Sequence, residues 1–106
     1  IAVNKICIPS HVTWSDPRVG RSMGCVYFVS DGQYIKIGTT YDLPKRLTSL
    51  QTGSSRVLSI ITSVIVMDSL SVEKDLHHQL ADQRIIGEWF DISPEKALEL
   101  AALLKQ

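Results

Sequence analysis

The 106-residue sequence predicts an α+β fold: a three-stranded antiparallel sheet, made of an N-terminal hairpin plus a third long strand, flanked by about three helices. Three observations predict it. Residues 25–38, CVYFVSDGQYIKIG, hold two apolar runs around an Asp-Gly dipeptide; residues 57–67 are rich in β-branched side chains; and capping residues at Asp42, Asp68 or Ser69, and Ser93 each precede apolar residues at helical spacing. Residues 1–23 read as a lead-in segment and 24–106 as the domain.

The lead-in has no sustained period. Ile6 and Ile8 alternate around Cys7, which allows a short edge strand at 5–8, and Lys5, Arg18 and Arg21 with Trp14 offer either a basic, aromatic arm for nucleic acid or a partly ordered lead-in. In the hairpin, Asp-Gly favours a two-residue type I′ turn, because both central residues need positive φ. With Asp31 and Gly32 as that turn, Val29 pairs with Tyr34, Phe28 with Ile35, and Tyr27 with Lys36. Side chains alternate along a strand, so Val26, Phe28, Ile35 and Ile37 share a core face, while Tyr27, Tyr34 and Lys36 share a face that reads as a site or as an ordinary solvated surface.

Asp42 is a good N-cap and Pro44 falls in the first turn, so a helix is expected over 43–50, with Gly53 suited to a left-handed exit. Residues 57–67 should form the third strand, bulged near Ile60 and Ile61, where alternation fails. A second helix runs to about Gln83, with Val72, Leu76 and Leu80 as its buried stripe and Glu73 and His77 one turn apart beside it. Trp89 and Phe90 read as an apolar anchor in a short extended segment. Ser93 and Pro94 open the third helix, with Leu98, Ala101, Ala102 and Leu104 as its packing face.

Composition narrows the function. With 44% hydrophobic and 21% charged residues the chain is of ordinary soluble, globular type. Its 11 basic and 11 acidic residues cancel, so nucleic-acid binding has to rest on a local patch or on another domain or partner. Cys7 and Cys25 are too few for a disulfide framework and have no zinc spacing, so reduced thiols and a cytoplasmic setting are expected. No apolar run is long enough for a bilayer, and no membrane partner is expected. The first residue is Ile1 rather than Met, which leaves an upstream domain open. There is no Gly-x-Ser-x-Gly elbow, P-loop or His-Glu-x-x-His site.

Five ordered motifs carry a resemblance: Val26-Tyr27; Lys36-Ile37-Gly38-Thr39-Thr40; Asp42-Leu43-Pro44-Lys45-Arg46-Leu47; Glu73-Lys74-Asp75-Leu76-His77; and Gly87-Glu88-Trp89-Phe90. Over residues 24–92 the chain resembles the GIY-YIG endonuclease superfamily, in particular its small phage and bacterial branch. The resemblance implies a metal-dependent phosphodiesterase acting on DNA, with Tyr27 as general base, Arg46 on phosphate, and Glu73 binding one divalent ion, Mg²⁺ or Mn²⁺. Lys36 stands where the second motif usually has tyrosine, Cys25 where the first has glycine, and Leu50 where a histidine often follows the arginine.

The chemistry of these residue types agrees with those roles. An ammonium across the strand favours the phenolate, so Lys36 opposite Tyr27 would help a poor base. Arg46 offers a planar donor fork to phosphate, and Glu73 supplies the hard oxygen that Mg²⁺ takes from one or two carboxylates. His77 is either a phosphate or supporting ligand or a satisfied half-buried histidine. Arg46 and Lys45 read otherwise as solvated helix residues, and Glu73 with His77 as a surface pair. Two functions follow: a divalent-metal-dependent DNA endonuclease domain, or a catalytically weak nucleic-acid-binding or protein-interaction module on the same fold. The joint presence of Tyr27, Arg46 and Glu73 favours the first; zero net charge, Lys36 and Cys25 favour the second.

The balanced charge generates a prediction. The domain should bind duplex DNA weakly, and its affinity should fall only gently with salt, since few cations are on hand to displace phosphate counterions. A steep salt slope in a fluorescence-anisotropy titration would contradict it.

Overall fold

The computed structural model describes residues 23–105; the edge strand expected at 5–8, the basic arm, Cys7 and His11 lie outside them. Five strands and three helices follow in the order β1 (Met23–Ser30), β2 (Ile35–Thr40), α1 (Leu43–Thr52), β3 (Ser59–Met67), α2 (Ser69–Gln79), β4 (Arg84–Ile86), β5 (Trp89–Phe90) and α3 (Pro94–Leu104), with a 3₁₀ turn at Ala81–Gln83. The sheet is five-stranded, ordered β3-β1-β2-β5-β4, with every pairing antiparallel. The α+β class stands, but the three-stranded sheet expected from the sequence is wrong. Strands β4 and β5 are three and two residues long. Too short to express a period of two, they do not read as sheet strands from pattern, although the sequence predicts a short extended segment at Trp89 and Phe90.

The hairpin register also differs. Tyr27 pairs with Gly38, Phe28 with Ile37 and Val29 with Lys36. Only Gly32 of the two turn residues takes positive φ, at 99°, so a type I′ turn does not form. Instead the Asp31 carboxylate accepts hydrogen bonds from the backbone N–H groups of Gln33 (2.9 Å) and Tyr34 (2.8 Å), and the Ser30 hydroxyl accepts one from Gly32 (2.9 Å). This side-chain turn draws Tyr34 into a four-residue loop. The register therefore slips by two residues, an even number, and Lys36 stays on the face of Tyr27.

Both faces of the sheet are covered. Val26, Phe28, Ile35, Ile37, Val64 and Phe90 pack against Leu76 and Leu80 at α2 and against Ala97, Leu100 and Ala101 of α3. On the other face Cys25, Tyr27 and Val29 pack against Leu43 and Leu47 of α1 and against Leu58. The face of Tyr27 is thus a second core layer rather than a solvated surface. The cause is the apolar stripe of α1, Leu43 and Leu47, laid across it.

The starts of α1 and α3 follow their caps, whereas at α2 Asp68 takes φ 50° and its side chain makes no capping bond. Asp42 accepts from Lys45 N–H at 3.1 Å and Ser93 from Lys96 N–H at 3.0 Å, each with a proline in the first turn. Helix α1 runs two residues past the expected end, and Gly53 leaves it at φ −87° rather than left-handed. The bulge in β3 falls where alternation failed: Phe28 pairs with Thr62 and Val29 with Ile60, leaving Ile61 extra. In α3 the buried residues are Ala97, Leu100 and Ala101, with Leu104 packed beside them, whereas Leu98 and Ala102 are exposed. The observed set follows the i, i+3, i+4, i+7 spacing that one helix face requires.

Space at Gly38 positions Tyr27. A Cβ there would lie 2.6 Å from the tyrosine Cζ and 3.2 Å from Glu88 Oε1. Gly38→Ala should therefore destabilise the protein by about 1–3 kcal/mol through overpacking. At Gly53, where φ is −87° and the Leu50 and Ser49 carbonyl oxygens would stand 3.9 Å from an added Cβ, the same change should be neutral or slightly stabilising. Urea denaturation of the two variants tests the contrast; equal midpoints would contradict it.

Candidate functional site

Five elements deliver polar groups to one region of the sheet: β1, β2, α1, α2 and the turn between β4 and β5. Tyr27 comes from the middle of β1 and is wholly buried. Its hydroxyl accepts a hydrogen bond from Arg46 Nε at 3.3 Å, from the second turn of α1. Glu73, on α2, accepts from the Thr39 hydroxyl through Oε1 at 3.4 Å, while its Oε2 is buried and makes no hydrogen bond. Glu88, in the tight turn between β4 and β5, ion-pairs with Lys36 through Oε1 at 3.3 Å.

That turn is firmly held. Gly87 has φ of 56°, which a side chain would strain, and its carbonyl accepts from Arg84 Nε at 2.8 Å. The carbonyl of Glu88 accepts the Ile37 N–H at 3.0 Å. A cleft of about 580 Å³ opens beside Glu73 and Glu88, lined also by His77 and Arg84.

The expected partnership of Lys36 with Tyr27 does not occur. With the register slipped, the Lys36 ammonium pairs with Glu88 and lies 5.4 Å from the centre of the Trp89 ring. The cation at the tyrosine hydroxyl is Arg46. Burial raises the Tyr27 hydroxyl above its ordinary value, Arg46 opposes that shift, and the nearby Glu88 and Glu73 carboxylates reinforce it. His77 is half-buried, with Nε2 3.0 Å from the Ile37 carbonyl and its ring 5.0 Å from that of Phe90. A carbonyl only accepts, so Nε2 carries the proton and donates. This nitrogen also stands 3.8 Å from Glu73 Oε2. Cys25, at the place of the motif glycine, is a buried free thiol pushed up to about 12 by burial.

Residues 24–105 match the model of the T5orf172 domain. The chain belongs to the T5orf172 family. Comparison with curated proteins and with solved structures gives no match. The family match covers every element from Gly24 of β1 through α3, and so all the residues converging on the cleft.

Among the described residues no three His, Cys, Asp or Glu side chains converge as a ready metal cluster. Two carboxylates do meet. Their fit to a divalent ion rests on the Glu73 oxygen, which is buried without a hydrogen bond, beside Glu88 in an open cleft, since Mg²⁺ takes one or two carboxylates and keeps its waters. Glu88 was quoted in a sequence motif but not identified as a site residue. Only the β4–β5 turn, itself unforeseen, brings it to Glu73. Among the described residues no helix is long and apolar enough to cross a membrane.

Burial raises the Glu73 carboxyl, and Glu88 raises it further, both by charge and by side-chain contact; His77 and Thr39 oppose the shift. A carboxyl raised on folding holds its proton more tightly in the native chain. Its contribution to stability is therefore full below its unfolded value of about 4.5 and is lost as pH rises through the folded value. Glu73→Gln, measured by urea unfolding without divalent ions, should gain stability relative to the parent as pH rises above about 4.5. A stability difference that stays constant with pH would contradict this account.

Proposed function

We propose that this chain is a divalent-metal-dependent nuclease domain hydrolysing phosphodiester bonds in DNA. The observation that carries the reading is that β1, α1 and α2 bring Tyr27, Arg46 and Glu73 within electrostatic reach of one another, where a buried Glu73 oxygen makes no hydrogen bond. Membership of the T5orf172 family, a GIY-YIG-like and nuclease-associated fold family, supports it.

Arg46 holds the Tyr27 hydroxyl through Nε, which leaves its terminal nitrogens for a phosphate oxygen. Positive charge at that hydroxyl favours the phenolate that would take a proton from water, against the burial that disfavours it. Glu73 would hold Mg²⁺ or Mn²⁺, which when bound supplies Lewis-acid neutralisation of phosphate charge. Thr39 donates to Glu73 Oε1, and His77 Nε2 stands 3.8 Å from Oε2. Lys36 would add a cation near the phosphate. Additional DNA affinity would come from a further domain or a partner.

One observation favours the second reading, a nucleic-acid-binding module without catalysis. Tyr27 is wholly buried and its hydroxyl is raised, so few molecules carry the phenolate at neutral pH. The same experiment separates the two.

Single-turnover cleavage of supercoiled and single-stranded DNA with Mg²⁺ or Mn²⁺ should rise with pH through the neutral range without levelling below about pH 10, the ordinary value for tyrosine. Tyr27→Phe should slow cleavage by roughly two to four orders of magnitude. Glu73→Ala should abolish cleavage and leave DNA binding largely intact. Undiminished cleavage by Tyr27→Phe would remove the tyrosine base, and comparable cleavage by Glu73→Ala would remove the metal role. A parent that binds DNA and never cuts it would establish the binding module.

A further inference from the structure

Glu88 has no role in the motif-based reading, yet its backbone is held in place and it lines the cleft beside Glu73. Its main chain is fixed on both sides: the Ile37 N–H donates to its own carbonyl, and Arg84 holds the carbonyl of Gly87 before it. A glutamate on a free loop would sample many positions; this one is aimed. Its Oε1 lies 3.2 Å from where a Cβ at Gly38 would stand, so the empty space at Gly38 accommodates Glu88 as well as Tyr27.

What Glu88 faces is equally specific. On one side is the Lys36 ammonium at 3.3 Å; on the other is Glu73, whose buried Oε2 makes no hydrogen bond. Neither cation of the site is ion-paired with Glu73, and His77 Nε2 spends its proton on the Ile37 carbonyl. Two carboxylates side by side, one held by an ammonium and the other with an unused buried oxygen, make an incomplete charge arrangement. The Lys36 ammonium also lies 5.4 Å from the centre of the Trp89 ring, a contact that does not depend on Glu88.

We propose that Glu88 is a second carboxylate ligand of the cation site, shared with Glu73, and that Lys36 occupies Glu88 only while the ion is absent. The inference rests on the metal-dependent reading above. Ion binding and release of the lysine are then one exchange. The ammonium is freed near the position of the phosphate when the site is loaded, and it competes with the ion when it is not. Both carboxylates are hard oxygen donors, which suits Mg²⁺ or Mn²⁺ with water completing the coordination.

The test is Mn²⁺ binding followed by titration calorimetry on the full chain, with circular dichroism to verify folding. Glu88→Gln should weaken binding by about tenfold at the least, since losing even an outer partner of a metal ligand costs roughly 10–100-fold. Glu73→Gln should weaken it comparably, and Lys36→Met should tighten it. In the unmutated protein, saturating Mg²⁺ should move the side-chain carboxyl carbon resonances of both Glu73 and Glu88. Parental affinity in Glu88→Gln together with loss in Glu73→Gln, or a carbon shift confined to Glu73, would overturn the role of Glu88 and leave the metal-dependent reading standing. Absence of Mn²⁺ binding by the parent would overturn both.

Discussion

The cross-strand pair of Tyr27 and Gly38 constrains everything around it. A tyrosine in the middle of β1, buried under α1, can send its hydroxyl toward the cleft only if the strand opposite has no side chain in the way. Gly38 meets that condition, and the hydroxyl then reaches Arg46. The same space admits Glu88 from the β4–β5 turn, so one missing side chain brings groups from β1, α1 and the far edge of the sheet to a common point. Packing and chemistry share this position.

The electrostatics follow from that crowding. Arg46 goes to the tyrosine, Lys36 to Glu88, and Thr39 with His77 to the sides of Glu73. A planar guanidinium can hold one partner through Nε and still present its terminal nitrogens, whereas a single ammonium is a compact charge that moves between partners. The positions of the two cations match those properties: the arginine is half-buried and directional, and the lysine lies between a carboxylate and an aromatic face.

Much of this was legible in the sequence because the signals were local. Asp42 with Pro44, and Ser93 with Pro94, mark helix starts by caps that act within three residues. The β-branched run of β3 and its bulge could be located from the one place where alternation failed. The motifs singled out Tyr27, Arg46 and Glu73, and the fold brings the three near one another. What escaped depends on distant or competing contacts. Asp31 gave its carboxylate to Gln33 and Tyr34 and so displaced the turn that Asp-Gly favours. The partner of Lys36 changed with it. Strands β4 and β5 exist by pairing, not by pattern, and Glu88 became a neighbour of Glu73 only through them. The solvated face expected around Tyr27 became a core because α1 folds back onto it, a fact of tertiary packing rather than of the strand.

Strand β4 carries a consequence of a different kind. It forms one border of the sheet, and its Ile85 and Ile86 are exposed. A border of that composition is ordinarily a template on which a second chain can add its own backbone ladder, the first step toward aggregation. Here it is three residues long and begins at an arginine whose guanidinium is tied back to the turn. So short a border offers an incoming strand little to register against, which lets the protein keep two exposed isoleucines beside its most crowded polar cleft without inviting runaway self-association.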